Sequence, residues 1–223
     1  MQNGSPNTWP DQFAAGETAA VARRLIGARL IHRLAPDEPD GGTILAGRIV
    51  ETEAYLPLVD PSCHGYRGPT KRNVSIFGRA GFAYIYFIYG NHHCLNVTTE
   101  PPGLGGAVLI RAIEPQAGID AMRRRRGPKV PTLALASGPG NLCRAMGIDL
   151  RFDGVDLRRG DLRIGPPRDI APTVCVSSRI GLKVAAGWPL RYFDGESPSV
   201  SPFRSLNAKS RNADTTSSRR APR

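Results

Sequence analysis

Thr43-Ile44-Leu45-Ala46-Gly47-Arg48-Ile49-Val50-Glu51-Thr52-Glu53-Ala54-Tyr55 is the stretch on which the fold turns. It is rich in β-branched and apolar residues, has no proline, and follows the turn-rich run Ala35 to Gly42, so it reads as a long strand. Ala28 to Leu34, on the other side of that turn, reads as a second strand. Side chains two apart on a strand share a face. Glu51, Glu53 and Tyr55 are therefore expected on one side, with Leu45 and Ile49 upstream on the same side. A carboxylate among apolar neighbours is costly unless it finds partners, which marks Glu53 as a candidate functional group. The bland alternative is an exposed sheet edge carrying both acids.

Working outward, Glu17 to Ile26 has the apolar spacing of a helix, with Gly27 as its stop. Phe82 to Tyr89 reads as an aromatic strand ending at Gly90, and Ala107 to Ile113 as another strand. Pro115 to about Arg125 reads as a helix opened by proline, and Ser137 as the cap of a short helix running to Met146. Three further short extended segments are expected around Thr173, Ile180 and Leu190. Leu56 to Arg79 is rich in proline, glycine and polar residues and reads as a long ordered loop, the kind that tends to carry function. His32 is expected on a surface strand. The expectation is an α+β fold: a single compact domain with a curved, largely antiparallel sheet flanked by helices. Residues 1–11 read as a disordered N-terminal arm, 12–203 as the folded domain, and 204–223 as a basic disordered tail.

Composition narrows the classes of function. A chain of 223 residues that is 40% apolar and 22% charged can bury one sizeable core. No apolar run approaches the length needed to cross a bilayer, and the first residues lack the basic start and apolar stretch of a secretory signal. Four cysteines stand far apart with no C-x-x-C, as free thiols in a reducing cytosol would. A cytoplasmic protein with no membrane association is expected. The formal charge is +11, and only Lys71, Lys129, Lys183 and Lys209 among the 30 basic residues are lysines. Arginine presents a planar fork to phosphate, so the bias suits a polyanion, with Arg123-Arg124-Arg125-Arg126 and the tail as the densest blocks. A solvated face accounts for the same charge equally well.

Two other clusters bear on chemistry. In Tyr84-Ile85-Tyr86-Phe87-Ile88-Tyr89-Gly90, Tyr84 reads as core, whereas Tyr89 falls at an exposed turn beside Asn91 and His92, where a ring could stack on or between bases. Ser137-Gly138-Pro139-Gly140 could present backbone N–H groups to a phosphate, or be a plain helix start. Arg72 and Asn73 in the long loop could approach a nucleic acid, or be solvated. His92-His93-Cys94 and Cys63-His64 lack the spacing of converging zinc ligands, so no metal and no cofactor is expected.

The ordered set Arg48-Ile49-Val50-Glu51-Thr52-Glu53-Ala54-Tyr55, His64, Tyr84 to Gly90 with Cys94 and Asn96, Leu109-Ile110-Arg111-Ala112-Ile113-Glu114-Pro115, Ser137-Gly138-Pro139 and Arg179-Ile180-Gly181 closely resembles the alkyladenine (3-methyladenine) DNA glycosylases of the mammalian type, which bacteria also have. The resemblance runs from about residue 17 to residue 200. It implies a monofunctional glycosylase that acts as a monomer on damaged double-stranded DNA. It would excise alkylated purines, chiefly 3-methyladenine, with ethenoadenine and hypoxanthine as further candidates. It also implies roles. Glu53, not Glu51, would be the general base, and Arg111 with the Ile180 backbone carbonyl would hold the attacking water. Tyr55, His64 and Tyr86 would wall the base pocket, Asn96 would reject the guanine 2-amino group, and Tyr89 would fill the gap left by a flipped nucleotide. Asn91 after Tyr-Gly and Ile76 before Phe77 depart from many relatives, and the run Thr99 to Gly105 looks slightly longer than in some. A non-catalytic nucleic-acid-binding module would share the basic surface and the stacking tyrosine but would not need a Glu53–Arg111 pair.

Overall fold

The long strand forms over Ile44–Tyr55 and organises everything else. In the computed structural model, which describes residues 13–168 and 171–202, the chain runs α1 (Thr18–Arg24), β1 (Arg29–Arg33), β2 (Ile44–Tyr55), β3 (Ala83–Ile88), β4 (His92–Thr99), β5 (Gly106–Ala117), α2 (Ile119–Arg126), α3 (Pro139–Met146), β6 (Leu162–Gly165), β7 (Val174–Ser177) and β8 (Arg191–Asp194). The strands make one curled antiparallel sheet in the order β3-β4-β5-β2-β1-β6. One edge of β2 is shared, because its first half pairs with β1 and its second half, Glu51 to Glu53, with β8. Its other edge pairs with β5 throughout. The fold is thus α+β in a single domain, as the sequence implies. The N-terminal arm and the basic tail lie outside the described residues.

The β2–β5 ladder slips where the chemistry will lie. Ile49 pairs with Ile113 and Thr52 with Ile110, but between them Glu51 lies against Ala112. Strict alternation would set Ile49 and Ala54 on opposite faces, yet both belong to the main apolar core with Ile110 and Ile113. The slip changes the phase, so Glu51 and Glu53 turn away from the side that Leu45 and Ile49 occupy. This corrects the shared face expected from simple alternation. The main core gathers Val21, Ala22 and Leu25 of α1 and Leu142, Ala145 and Met146 of α3. A second, smaller cluster of Cys63, Ile76, Tyr84 and Ala107 seats the long loop. Two backbones touch there: a Cβ on Gly65 would come within 2.2 Å of the Gly105 carbonyl oxygen, so neither neighbour can be larger.

Several local expectations change. Pro115 stays in β5 opposite Gly47 and does not open a helix; beyond Leu109 no β4 pairing remains, so its missing N–H costs no bond on that edge. The helix starts only after Gly118, whose φ of +70° turns the chain. Ser137 does not cap α3: Gly138 precedes the helix and Pro139 opens it, while the Ser137 carbonyl accepts from Asn141 Nδ2. Strands β4 and β6 were not expected, and Ile180 lies in an irregular run between β7 and β8, not in a strand. His32 is buried, its Nδ1 2.7 Å from the Met146 carbonyl and its ring edge-on to Phe152, and burial lowers its pKa. The arginine block is largely engaged within the molecule, although Arg124 stays exposed. Arg124 and Arg125 pair with Asp40, while Arg123 and Arg126 bond the carbonyls of Val130 and Leu135.

Candidate active site

Glu53 is fully buried, and its two oxygens are held from three directions. Oε1 accepts the backbone N–H of Ile180 at 2.7 Å, Oε2 accepts the Tyr55 hydroxyl at 2.9 Å, and Arg111 Nη1 stands 3.2 Å from Oε2. The exposed-edge alternative for the two acids therefore fails, because β8 and the segment after it cover them. Glu51 is equally buried and accepts Arg111 Nε at 2.9 Å, Arg191 Nε at 2.7 Å, and both the N–H and the hydroxyl of Ser201 at 2.8 Å. Burial alone would raise the Glu51 pKa, but Arg111, Arg191 and Ser201 outweigh it and hold the carboxyl below its ordinary value.

Tyr55 is fixed on both sides. Its hydroxyl is spent on Glu53, and the Arg179 guanidinium sits 4.6 Å from its ring centroid. Arg179 is itself buried, donating to the Ala54 carbonyl at 2.9 Å and bidentately to Asp60. Asp60 also accepts the N–H groups of Leu56 and Ser62, so this one ion pair ties the start of the long loop to the run that carries Ile180. Arg179 falls inside the recognisable Arg179-Ile180-Gly181 but was assigned no role from sequence. Asp60, Arg191 and Ser201 were likewise missed, Glu51 having been set aside in favour of Glu53, and Arg191 and Ser201 lie 140 and 150 residues from Glu51, with no local signal to find them.

Tyr55, His64, Tyr86, Asn96, Arg111, Ile180 and Tyr89 all line one cavity of about 350 Å³, and three of them bond or pair with Glu53 behind its wall. His64 stands edge-on to Tyr86 at 4.5 Å between centroids, and its Nδ1 meets the Tyr84 hydroxyl at 2.7 Å. Burial, first of all, raises the pKa of Tyr55, Tyr84 and Tyr86, so the walls present neutral phenols. Asn96 is buried, its Nδ2 donating to the carbonyls of Tyr84 and Cys94 at 3.0 and 3.4 Å, so its side chain cannot swing aside without breaking bonds in the sheet. Cys94 also lines the cavity, and burial raises its pKa; Cys63 is pushed up to about 11 by the same cause. These are packed thiols, not nucleophiles.

Tyr89 is different in kind. It is 83% exposed at the tip of the β3–β4 hairpin, with φ at +55° beside Gly90 at +71°. Positive φ at both central residues is the geometry of a type I′ turn, here closed by the Asn91 N–H on the Ile88 carbonyl. A bulky residue with positive φ is uncommon. Asn91 is exposed beside it, and His92 packs against Gly140 at the start of α3. Ser137 and Gly138 are half-buried just before that helix. Arg72 is exposed on the long loop, whereas Asn73 turns inward to brace it, bonding Thr70 and the carbonyls of His64 and Gly68. Among the described residues no cluster of three His, Cys, Asp or Glu could hold a metal, and no helix is long and apolar enough to cross a membrane.

Comparison with known proteins shows the family of the whole chain. The family model described as methylpurine-DNA glycosylase (MPG) matches residues 12–198. A protein from Methanoculleus marisnigri is 46% identical over 190 residues, covering 83% of this chain and 94% of its own. One from Chlorobium luteolum is 43% identical over 194 residues, covering 86% and 96%, and one from Mesorhizobium japonicum is 46% identical over 192 residues, covering 85% and 88%. Each of the three bears the name "Putative 3-methyladenine DNA glycosylase".

Proposed function

The chain belongs to the methylpurine-DNA glycosylase family, and from that premise we propose that it turns an alkylated purine, chiefly 3-methyladenine, out of duplex DNA and hydrolyses its glycosidic bond with Glu53 as general base. The observation that carries the reading is the buried Glu53, bonded to Tyr55 and Ile180 and paired with Arg111 beside an aromatic cavity. Simple binding of DNA has no use for such a carboxylate.

A base inside the stack cannot be reached, so extrusion costs a few kcal/mol, least where damage has weakened the pairing. Tyr89 at the hairpin tip stacks in the vacated space and offsets part of that cost. In the cavity, Tyr55 and Tyr86 meet the faces of the purine. A cationic alkylpurine gains on the order of 0.5–2 kcal/mol from such rings. That same positive charge makes it a good leaving group. As water attacks C1′, the C1′–N bond breaks, its electron pair goes to the base, and the water's proton goes to Glu53. The carboxylate charge also favours the oxocarbenium that develops at the sugar. Arg111 pairs with Glu53 and orients it. The Ile180 N–H bonds the carboxylate, and the carbonyl of the same residue helps hold the attacking water. Asn96, locked to the sheet, excludes guanine by bulk at the 2-amino position.

The strand itself stays intact in this scheme. An amine nucleophile would be needed for a lyase step, and no lysine lines the cavity. The test incubates duplexes carrying one ethenoadenine or hypoxanthine, and methylated genomic DNA, with the protein. Free base and strand breaks that appear only after alkali are expected. No release from any of these substrates would overturn the proposal in favour of a binding module.

A further inference from the structure

We infer that Glu51, anchored by Arg191 and Ser201, is a positioning residue that divides Arg111 between two carboxylates and thereby sets the basicity of Glu53. The inference rests on the proposed role of Glu53. Its basis is a group of four buried charges, two carboxylates and two guanidinium groups, and the other titratable groups that face Glu53 are the Tyr55 hydroxyl and the Cys94 thiol, both kept neutral by burial.

Arg111 spans the pair with different atoms, Nε on Glu51 at 2.9 Å and Nη1 on Glu53 at 3.2 Å. Arg191 answers Glu51 from β8 at 2.7 Å, and Ser201 adds two further donors from the segment beyond. Arg191 is steadied in turn by the Ser177 hydroxyl and by the Phe193 ring, 4.5 Å away. Because Arg191 and Ser201 satisfy Glu51, Arg111 is left with charge to offer Glu53. A general base works best when ionised yet still willing to take a proton, and too much positive charge would spoil the second condition. The first acid of Glu51-Thr52-Glu53 is therefore no neutral bystander.

The charge group makes predictions of opposite sign for its two ends. Excision needs ionised Glu53, so the rate falls on the acid side with a limb at the Glu53 pKa. In Glu51→Gln, two guanidinium groups face one carboxylate. Glu53 becomes a weaker base, the limb moves down by about one pH unit and the plateau rate drops about threefold. In Arg191→Gln, Glu51 draws Arg111 to itself, Glu53 loses charge support, and the limb moves up by about one unit. The double variant Glu51→Gln/Arg191→Gln restores neutrality and returns the limb close to the parental position.

The experiment measures single-turnover release of ethenoadenine from pH 4.5 to 8 for all four proteins, with thermal melting as the check on folding. Carbon-13 titration of the glutamate carboxyls, which needs no DNA, should give the same directions. If a single variant fails to fold, Ser201→Ala removes one donor and no charge, and should raise the limb by a few tenths of a unit. Limbs that move the same way, or stay put while melting temperatures fall, overturn the inference. Absence of release by the parent would instead sink the proposed function, and the carboxyl titration would still decide the role of Glu51.

Discussion

The two ends of the cavity are built on opposite terms. At the buried end Glu53 has no exposure and bonds or pairs with three groups, and every neighbour that holds it is held in turn. At the open end Tyr89 is 83% exposed, on a turn whose backbone is unfavourable for any side chain but is tolerated by glycine. The contrast teaches where each kind of chemistry resides. Proton transfer and charge stabilisation need groups fixed before the substrate arrives, because reorganising them during reaction would raise the barrier. Entering a duplex needs a ring that protrudes and has few partners to give up.

The contrast can be broken most sharply at the buried end. Glu53→Gln should lower excision by roughly 10²–10⁴-fold, the usual worth of a positioned general base, while affinity for a lesion duplex stays within a few-fold. Single-turnover kinetics and gel-shift titration read the two separately; parallel losses would mean that the carboxylate serves the fold instead. Next in size, Arg179→Met should cost about 3–5 kcal/mol of stability, since it strands the buried Asp60 carboxylate. Urea unfolding measures it, and a change below 1 kcal/mol would show that the loop does not depend on this pair.

At the open end the effects should be smaller and should divide. Tyr89→Ala should weaken lesion binding by about 1–3 kcal/mol, the value of one base–aromatic stack, and leave stability almost unchanged. Ethenoadenine fluorescence would report the loss of flipped base; an unaltered signal would assign the insertion to another side chain. Tyr89→Gly should go further and reverse the sign of one quantity. It relieves a positive φ worth about 1 kcal/mol, so the protein should melt higher while it binds the lesion less well. A lower melting temperature would deny that the tip is strained.

The same contrast explains what could be read from the sequence. Tyr89 was legible because everything that defines it is local: an aromatic residue, a glycine after it, polar residues beyond. The strand carrying Glu53 and Tyr55 was legible too, since β-branched runs announce themselves. Pro115 misled because proline often starts helices, and only the missing neighbour beyond Leu109 made a strand tolerable there. Strand β4 escaped notice because its alternation is broken by buried Asn96, Thr98 and Thr99. The groups around Glu51 left no trace at all. A serine and an arginine near the end of the domain look like any others until folding brings them 2.8 and 2.7 Å from a glutamate on the central strand.

The engagement of the arginine block has a consequence for how tightly DNA is held as ionic conditions change. Each phosphate neutralised by a free cationic side chain releases condensed counterions, and binding falls with salt at a slope of roughly −0.9 per phosphate. Arg124 and Arg125 are already answered by Asp40, and Arg123 and Arg126 reach for carbonyls. Asp40 offsets one of these four charges, and the other guanidinium groups must give up present partners before they can hold a phosphate. The grip on undamaged DNA should be looser, and less sensitive to salt, than four adjacent arginines suggest. A protein that must sample many intact sites before meeting a damaged one travels better with a light hold.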